Sequence, residues 1–494
     1  MRETDVLVVG GGLVGLSAAL FLAWRGVPTV LVERYPGSSA HPRAIGYTAR
    51  TVELLRAVGL EPDIPPPLKG VSVRRVRAES LAGQWFEELH WSPEAPAPTV
   101  ECSPCAGAGL AQDRMEPILR DKARELGADI RLSTELRSFE QDDDGVTAVV
   151  RGSDGAEYQV RAKYLVAADG HRSPVREELG IGRGGRGHLH TARSVLFRAP
   201  LQQHLEEGVG QFVTDVGFLT TYGDGRWVLM VDDSTPQDEE TLRHVVNRAI
   251  GREDLDVEII TTGRWEVTAA IADSYRRDRI FLAGDAAHTL PPSRGGYGAN
   301  TGIEDAHNLA WKLAAVLSGE SGPALLDTYE PERKPVAWLC HQQIFARSDG
   351  HDPDGPVEDA PIIDDQAMGF GILYRSASVI GAGDDLPPAR RPDEWAGQPG
   401  TRAPHLWLAD GRSTLDLFQR GWVLLAETAE WTGAAAEAGI RCERVGDRFA
   451  ETFGVTARGA SLIRPDGYVA WRSNDLPADP VAELTGVLRQ VACA

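Results

Sequence analysis

Asp5-Val6-Leu7-Val8-Val9-Gly10-Gly11-Gly12-Leu13-Val14-Gly15-Leu16-Ser17-Ala18-Ala19-Leu20-Phe21-Leu22-Ala23-Trp24 is the stretch on which the fold turns. Residues 6–24 carry no charge, nineteen in a row, so a membrane span or a secretory signal has to be considered first. Three glycines interrupt the run, Arg2-Glu3-Thr4-Asp5 is not a basic leader, and no small-residue cleavage site with polar residues follows. Arg25-Gly26 ends it, and residues 27–33 read as a second strand. The stretch is therefore a buried strand (5–9), a tight turn and a buried helix (13–24). With a strand at 29–33 it makes a β-α-β unit of about thirty residues, the length a nucleotide-binding unit needs.

Gly10-Gly11-Gly12-Leu13-Val14-Gly15 fits GxGxxG after a strand and at the start of a helix. Gly10 permits the turn, Gly12 lets backbone approach a pyrophosphate, and Gly15 lets helix and strand pack closely. The helix N-terminus presents free N–H groups to phosphate. Glu33 ends the second strand, eighteen residues after Gly15, placed to bond ribose hydroxyls. Gly10, Gly12, Leu13, Val14, Gly15, Glu33 and Arg34 are thus candidate cofactor-binding residues; the motif alone does not separate NAD from FAD. A second match, Gly180-Ile181-Gly182-Arg183-Gly184-Gly185, follows a helix-like segment (175–179) and has no helix after it, so Gly180 reads as a helix stop.

The 494 residues correspond to roughly three domains. Apolar residues are 42% and charged residues 25%, which excludes a disordered, collagenous or disulfide-scaffold protein. Lys and Arg number 51 against 72 Asp and Glu, a net charge of −21 that repels nucleic acid and anionic lipid surfaces. Five cysteines, an odd and sparse number, suit a reducing cytoplasm. Cys102-Ser-Pro-Cys105 has redox or zinc spacing but loop-like flanks and no second pair, so it reads as incidental and no metal site is expected.

Further along, residues 48–58 read as a helix closed by Gly59 and residues 71–89 as hairpin strands between the proline groups Pro62, Pro65, Pro66, Pro67 and Pro93, Pro96, Pro98. A helix is expected at 115–126, alternating strands over 130–168, strand-rich chain over 185–272 and a strand at 279–283. That strand leads into Gly284-Asp285, so Asp285 sits where open α/β sheets bind ligands. Pro291-Pro292 forms a stiff segment suited to lie beside a flat ring, and four glycines follow between 295 and 302. A long helix is expected over 302–317, its apolar stripe Ile303, Ala306, Ala310, Leu313 and Leu317. Its positive end would stabilise negative charge on a bound ligand. Residues 349–365 read as a loop, 381–404 as a Gly/Pro/Asp-rich linker, and the last ninety or so as a small α/β unit containing a Pro465-Asp466-Gly467 hairpin turn.

The glycine-rich turn, Tyr164-Leu165-Val166-Ala167-Ala168-Asp169-Gly170-His171-Arg172-Ser173-Pro174, and Ala283-Gly284-Asp285-Ala286-Ala287-His288-Thr289-Leu290-Pro291-Pro292 with Gly295-Gly296-Tyr297-Gly298-Ala299-Asn300 occur in one chain. Together they resemble the class A, single-component FAD-dependent aromatic hydroxylases of the para-hydroxybenzoate hydroxylase type, over about residues 1–340. The C-terminal part resembles the thioredoxin-like appendage of the phenol hydroxylase and polyketide hydroxylase subgroup. The resemblance implies an α/β fold: a discontinuous Rossmann-like FAD domain, an inserted β-sheet substrate domain and a C-terminal thioredoxin-like domain. The expected division is 1–70, 101–176 and 273–380 (FAD domain and a helical connection), 71–100 and 177–272 (substrate domain), and 381–494 (linker and appendage).

By the same resemblance Arg43, Gln112, Asp169, Gly284, Asp285, Pro292, Gly298, Ala299 and Asn300 join the cofactor-binding set. Candidate catalytic residues are Arg43, Tyr222 and Pro292. Substrate candidates on the inserted sheet are Phe212, Phe218, Tyr222 and Trp227, with Trp265 beside them. His288 reads as structural. Arg294 departs from the family pattern by standing between Pro-Pro and Gly-Gly. The activity implied is NADPH- or NADH-dependent hydroxylation of a polycyclic aromatic such as a polyketide, through a flavin C4a-hydroperoxide, by a cytoplasmic monomer or homodimer that uses molecular oxygen. Baeyer–Villiger insertion on a polycyclic ketone shares the same cofactor loop, and a flavin-binding protein without turnover is the reading from a different class. The substrate itself is left open.

Overall fold

The computed structural model describes residues 2–65, 74–89, 101–201, 209–292, 295–347 and 360–493. The expectations for Pro66, Pro67, Pro93, Pro96, Pro98, Arg294 and most of the 349–365 loop lie outside the described residues. The strand Arg2–Val9, apolar from Val6 onward, sits between two parallel neighbours, Glu157–Ala167 and Thr29–Val32, with Val6 to Val9 buried. Strands Ile280–Leu282 and Asp129–Arg131 extend the parallel sheet on either side. A strand covered on both faces needs no polar alternation, which is why this run is continuous. Helix α1 (Leu13–Trp24) is buried over nearly its whole circumference. It packs against α3 (Gln112–Glu125) and α6 (Tyr297–Leu317), with α2 (Ala49–Ala57) on the far side of α6.

The second sheet has the order His288–Thr289, Glu258–Ala272, Arg183–Arg198, Arg226–Asp232, Phe218–Thr221, Val209–Val213, Arg74–Ala78, Trp85–Leu89. Its two longest strands pair antiparallel through three register shifts. Between α4 (Pro174–Glu178) and α6 the strand-rich reading omitted a helix, α5 (Glu239–Ile250). Asp238 caps it by accepting from Thr241 N, and Gly251 at φ +79° ends it. The apolar side of α5 covers one face of the sheet, with Phe212, Trp227, Leu229 and Val246 in the shared core.

Helix α6 begins five residues earlier than expected, so Gly298 and Gly302 are helical. A Cβ on Gly302 would lie 2.5 Å from Val14 Cγ2 and 3.1 Å from Gly284 Cα. The glycine is there because three backbones meet, and tertiary packing overrides its weak helix propensity.

The C-terminal unit is a four-stranded mixed sheet, Arg441–Glu443, Val423–Ala426, Ala460–Ile463 and Val469–Ser473, with helices around it in the thioredoxin-like manner. Residues 381–404 are packed, not a free linker: Trp395 is buried and donates to Gly371 O, and Arg402 bridges to Tyr468. The hairpin turn 464–467 reaches into α6 and α7 (Tyr329–Ala346). There Glu332, fully buried, accepts from Lys312 Nζ at 2.7 Å, from Arg464 at 2.6 and 2.9 Å, and from Asn308 and Ser376. Burial alone would raise the Glu332 carboxyl, but Arg464 and Lys312 hold it far below the ordinary carboxylate range. Burial pushes Lys312 down to about 8 against the pull of Glu332.

Candidate active site

The strand Arg2–Val9 ends in a turn that has no room for side chains at Gly10, Gly11 and Gly15. Gly10 lies at φ +107°, where a Cβ would fall 2.2 Å from Ala168 O; a Cβ on Gly15 would fall 1.9 Å from Gly10 O. Gly12, the N-cap of α1, has no side-chain capping bond, and the nearest atom to a Cβ there is 3.9 Å away. The turn and the uncapped helix end therefore form an open concave backbone surface suited to a pyrophosphate. Glu33 lies beside it, with Oε2 accepting from Gly11 N at 2.6 Å and Oε1 from Tyr35 N at 2.8 Å. These bonds fix the carboxylate while leaving lone pairs for hydroxyl donors.

From this turn a cleft of about 3850 Å³ runs between the two sheets. Pockets for drug-sized ligands measure roughly 300–1,000 Å³, so this space has room for an extended dinucleotide and a second molecule beside it. Gly10, Gly12, Leu13, Val14, Glu33, Arg34, Arg43, Gln112, Asp169, Asp285, Pro292, Gly298, Ala299 and Asn300 all line it. Gly15 and Gly284, also in the expected cofactor-binding set, do not line it. Gly15 presses on Gly10, while Gly284, at φ +61°, donates to Asp305 and abuts Val14.

Several of the predicted groups are already engaged. Asp169 accepts from Ser173 Oγ at 2.6 Å and Val175 N at 3.1 Å, so it anchors α4; burial nevertheless raises its carboxyl above the ordinary range. Asp285 makes no side-chain hydrogen bond among the described residues and faces the cleft with its acceptors free. Asn300 accepts from Thr48 N and Thr51 Oγ1 and so ties α6 to the start of α2. Gln112 Oε1 accepts from Arg43 N and Ala44 N, and its Nε2 donates to Glu116. Helix α6 starts at an uncapped Gly296 with φ +63°, its first turn on the cleft wall.

The loop 41–44 crosses the cleft between the sheets. Tyr222 Oη donates to Pro42 O at 2.7 Å, so this hydroxyl is committed to backbone; burial pushes the phenol well above its ordinary value. Trp265 Nε1 donates to Ser194 Oγ at 2.7 Å, and Ser194 lies 2.8 Å from His41 Nε2. Burial lowers the His41 imidazole, which keeps it neutral and able to accept from the Ser194 hydroxyl. The Arg43 guanidinium is 6.0 Å from the centre of the Trp265 ring, within cation–π range.

Of the substrate candidates, Phe218, Tyr222 and Trp265 line the cleft. Phe212 and Trp227 do not: they are 0% and 1% exposed and point to the α5 side of the sheet. Strand alternation puts Val228 and Met230 on the cleft side instead. Sequence reasoning missed Leu290, Phe345, Met368 and Ile372, which close the apolar end from distant segments and carry no local signal. His288 is fully buried and paired with Asp305 at 2.5 Å, away from the cleft. The second glycine match runs from α4 into a strand, a context without a helix N-terminus. Among the described residues no cluster of His, Cys, Asp or Glu could hold a metal, and no helix is long and apolar enough to cross a membrane.

Comparison with known proteins agrees with this geometry. Residues 3–343 match the family described as FAD binding domain, and residues 396–493 match aromatic-ring hydroxylase, C-terminal. The chain is 42% identical to a 4-methyl-5-nitrocatechol 5-monooxygenase of a Burkholderia species, over 99% of this chain and 98% of that one. It is 41% identical to aklavinone 12-hydroxylase RdmE of Streptomyces purpurascens, over 99% of both. A crystal structure of aklavinone-11 hydroxylase in ternary complex with FAD and aklavinone superposes with a TM-score of 0.89 at 38% identity, covering 100% of both chains. The tight glycine turn, the uncapped helix ends and the long cleft fit FAD, and the chain belongs to the FAD-dependent aromatic-ring hydroxylases, a family of monooxygenases.

Proposed function

We propose that this monooxygenase hydroxylates a polycyclic aromatic of the polyketide type, with NADPH or NADH as the electron source and molecular oxygen as co-substrate, in the cytoplasm, as a monomer or homodimer. The observation that carries the reading is the continuity of the cleft. A polar end at Gly10, Glu33 and Arg43 passes without a wall into an apolar end made by Phe218, Val228, Met230, Leu290, Met368 and Ile372. Relatives of nearly equal identity are named for a single-ring nitrocatechol and for the polycyclic aklavinone. The volume of the continuous cleft, about 3850 Å³, favours the larger class.

Bound FAD supplies electron uptake from pyridine nucleotide and the activation of oxygen. The chain supplies position and dryness. The Gly10–Gly15 turn and α1 hold the pyrophosphate, Glu33 the ribose and Asp285 the ribityl hydroxyls. Pro292 and the first turn of α6, both on the cleft wall, would flank the ring system, and the helix end would stabilise negative charge there. The apolar wall excludes water from the reacting edge and orients the substrate ring. Two stretches, 74–89 and 183–272, supply the substrate wall, while the parallel sheet supplies the cofactor cradle.

Aerobic incubation with a panel of single-ring and multi-ring phenols and each nicotinamide cofactor, read by mass spectrometry, tests this. A gain of one oxygen with the ring system intact on multi-ring phenols supports it. A ring-expanded lactone would assign Baeyer–Villiger insertion instead, and no substrate-stimulated NAD(P)H oxidation across the panel would leave a flavin-binding protein without turnover.

A further inference from the structure

The glycine-rich turn is flanked by two carboxylates. Glu33 is one, and both of its oxygens accept backbone N–H groups. Glu116, on α3, is the other. It is 3% exposed and stands behind the turn, not on the cleft wall, with Oε1 3.9 Å from where a Cβ on Gly12 would lie. The same oxygen accepts from Gln112 Nε2 at 2.7 Å. Because Gln112 Oε1 holds the backbone of Arg43 and Ala44, Glu116 decides which way the Gln112 amide faces and so positions the loop that carries Arg43.

Few charges compensate it. Glu33 faces it across the turn, Arg120 lies one turn further along α3, the Ser38 hydroxyl approaches from the loop, and Tyr47 lies in the field of both Glu116 and Asp113. Burial pushes the Glu116 carboxyl above the ordinary carboxylate range; Glu33 adds to this, while Ser38, Gln112 and Arg120 oppose it. A pyrophosphate at the turn places further negative charge just beyond Gly12. Repulsion between charges in such poorly solvated surroundings is several-fold stronger than in water.

We propose that FAD binding is coupled to protonation of Glu116. Ionised, Glu116 opposes the pyrophosphate; protonated, it presents no charge to the turn, and its carbonyl oxygen still accepts from Gln112. Binding to the ionised protein takes one proton from solvent onto Glu116, and dissociation returns it. The inference rests on the pyrophosphate lying at the Gly10–Gly15 turn.

The test is FAD titration into apoprotein, followed by quenching of flavin fluorescence, from about pH 5.5 to about pH 8.5. Between the carboxyl's values in the free and bound protein, linkage makes the wild-type Kd rise by up to about tenfold per pH unit. Glu116→Gln keeps the acceptor for Gln112 without the charge, so its Kd is flat over that interval and tighter at the alkaline end. Calorimetry in two buffers of different ionisation enthalpy records proton uptake for the wild type and none for the variant. A wild-type Kd that ignores pH, or the same slope in Glu116→Gln, overturns the coupling. If that variant does not fold, absence of proton uptake by the wild type overturns it. Gly12→Asp separates the two layers, since it adds a carboxylate where there is room for one. Undiminished FAD binding by Gly12→Asp would remove the pyrophosphate from the turn and the proposal with it. Lost binding there, with an unchanged slope in Glu116→Gln, sinks the Glu116 coupling alone.

Discussion

Asp466 Oδ2 accepts a hydrogen bond from Trp311 Nε1 at 3.1 Å, which joins a hairpin turn of the C-terminal sheet to the helix whose first turn lines the cofactor cleft. Asp466 also holds Arg464, and Arg464 holds Glu332 on α7. The appendage thus reaches the flavin helix through buried charges, and the carboxylate at their centre is the place to probe it. Glu332→Ala leaves Lys312 and Arg464 buried with their main counter-ion gone. Breaking a buried pair in this way costs about 3–5 kcal/mol. Chemical denaturation should show that loss for Glu332→Ala, and a change under about 1 kcal/mol would mean that the ion cluster does not hold the appendage in place.

This cluster and two other buried ion-pair groups dictate an acid limit. The carboxyls of Glu332, Glu53, Asp305 and Asp466 all lie below their ordinary values in the folded chain, through Arg464 and Lys312, Arg402 and Arg50, His288 and Arg333, and Arg464 respectively. A folded value below the unfolded one gives stability that is complete above the unfolded value and is lost as pH falls toward the folded one. Melting temperature should therefore fall as pH drops below the ordinary carboxyl values of 4.5 and 3.8. Glu332→Gln should have a shallower acid slope than the wild type; equal slopes would remove Glu332 from the account.

Gly15 tests the cofactor cradle without altering any charge. A Cβ there would sit 1.9 Å from Gly10 O, inside a contact that backbone cannot yield cheaply. Gly15→Ala should displace the turn and give protein with much less bound flavin, read as the ratio of visible to near-ultraviolet absorbance after gel filtration. Full flavin content would show that the turn tolerates the displacement.

The two faces of the second sheet predict opposite phenotypes. Trp227→Ala opens the core under α5 and should cost about 3–5 kcal/mol of stability. Phe218→Ala removes cleft wall and should raise KM for the aromatic substrate while changing stability less. A raised KM in folded Trp227→Ala protein with unchanged Phe218→Ala kinetics would reverse the assignment of faces.

Tyr222→Phe keeps the ring and removes the bond to Pro42 O. A hydrogen bond of this kind contributes about 0.5–1.5 kcal/mol net, so the loop carrying Arg43 should loosen and the FAD Kd should rise several-fold. An unchanged Kd would show that the other ties, Gln112 and the His41–Ser194–Trp265 chain, hold the loop by themselves.

Most of the cofactor side was legible because its chemistry is local. A strand, a glycine turn and a helix start adjoin in sequence, and so do the strand end and Asp285. The start of α6 was placed five residues late, after the glycine-rich stretch, because the spacing of Gly298 and Gly302 carries no sign of the packing that fixes them: Gly302 answers to Val14 and Gly284, residues remote in sequence. Helix α5 was legible but missed: Asp238 as a cap, acidic Glu239 and Glu240, apolar Leu242, Val246, Ala249 and Ile250, then Gly251 form a complete helix signature. The faces of the second sheet were not legible, since Phe212 and Phe218 sit on strands apolar on both sides and parity alone does not say which side is core.

The order of strands in the first sheet also governs how the chain is born. Strand Arg2–Val9 is made well before its neighbour Glu157–Ala167, and that strand well before Ile280–Leu282, while the hairpin that locks α6 follows all three. Until then an apolar sheet edge and the face under α6 stay uncovered, a condition that invites aggregation or chaperone capture. Flavin present during translation would have little to grip before α6 is made, so the yield of active enzyme from a host should depend more on slow, cool synthesis than on cofactor supply.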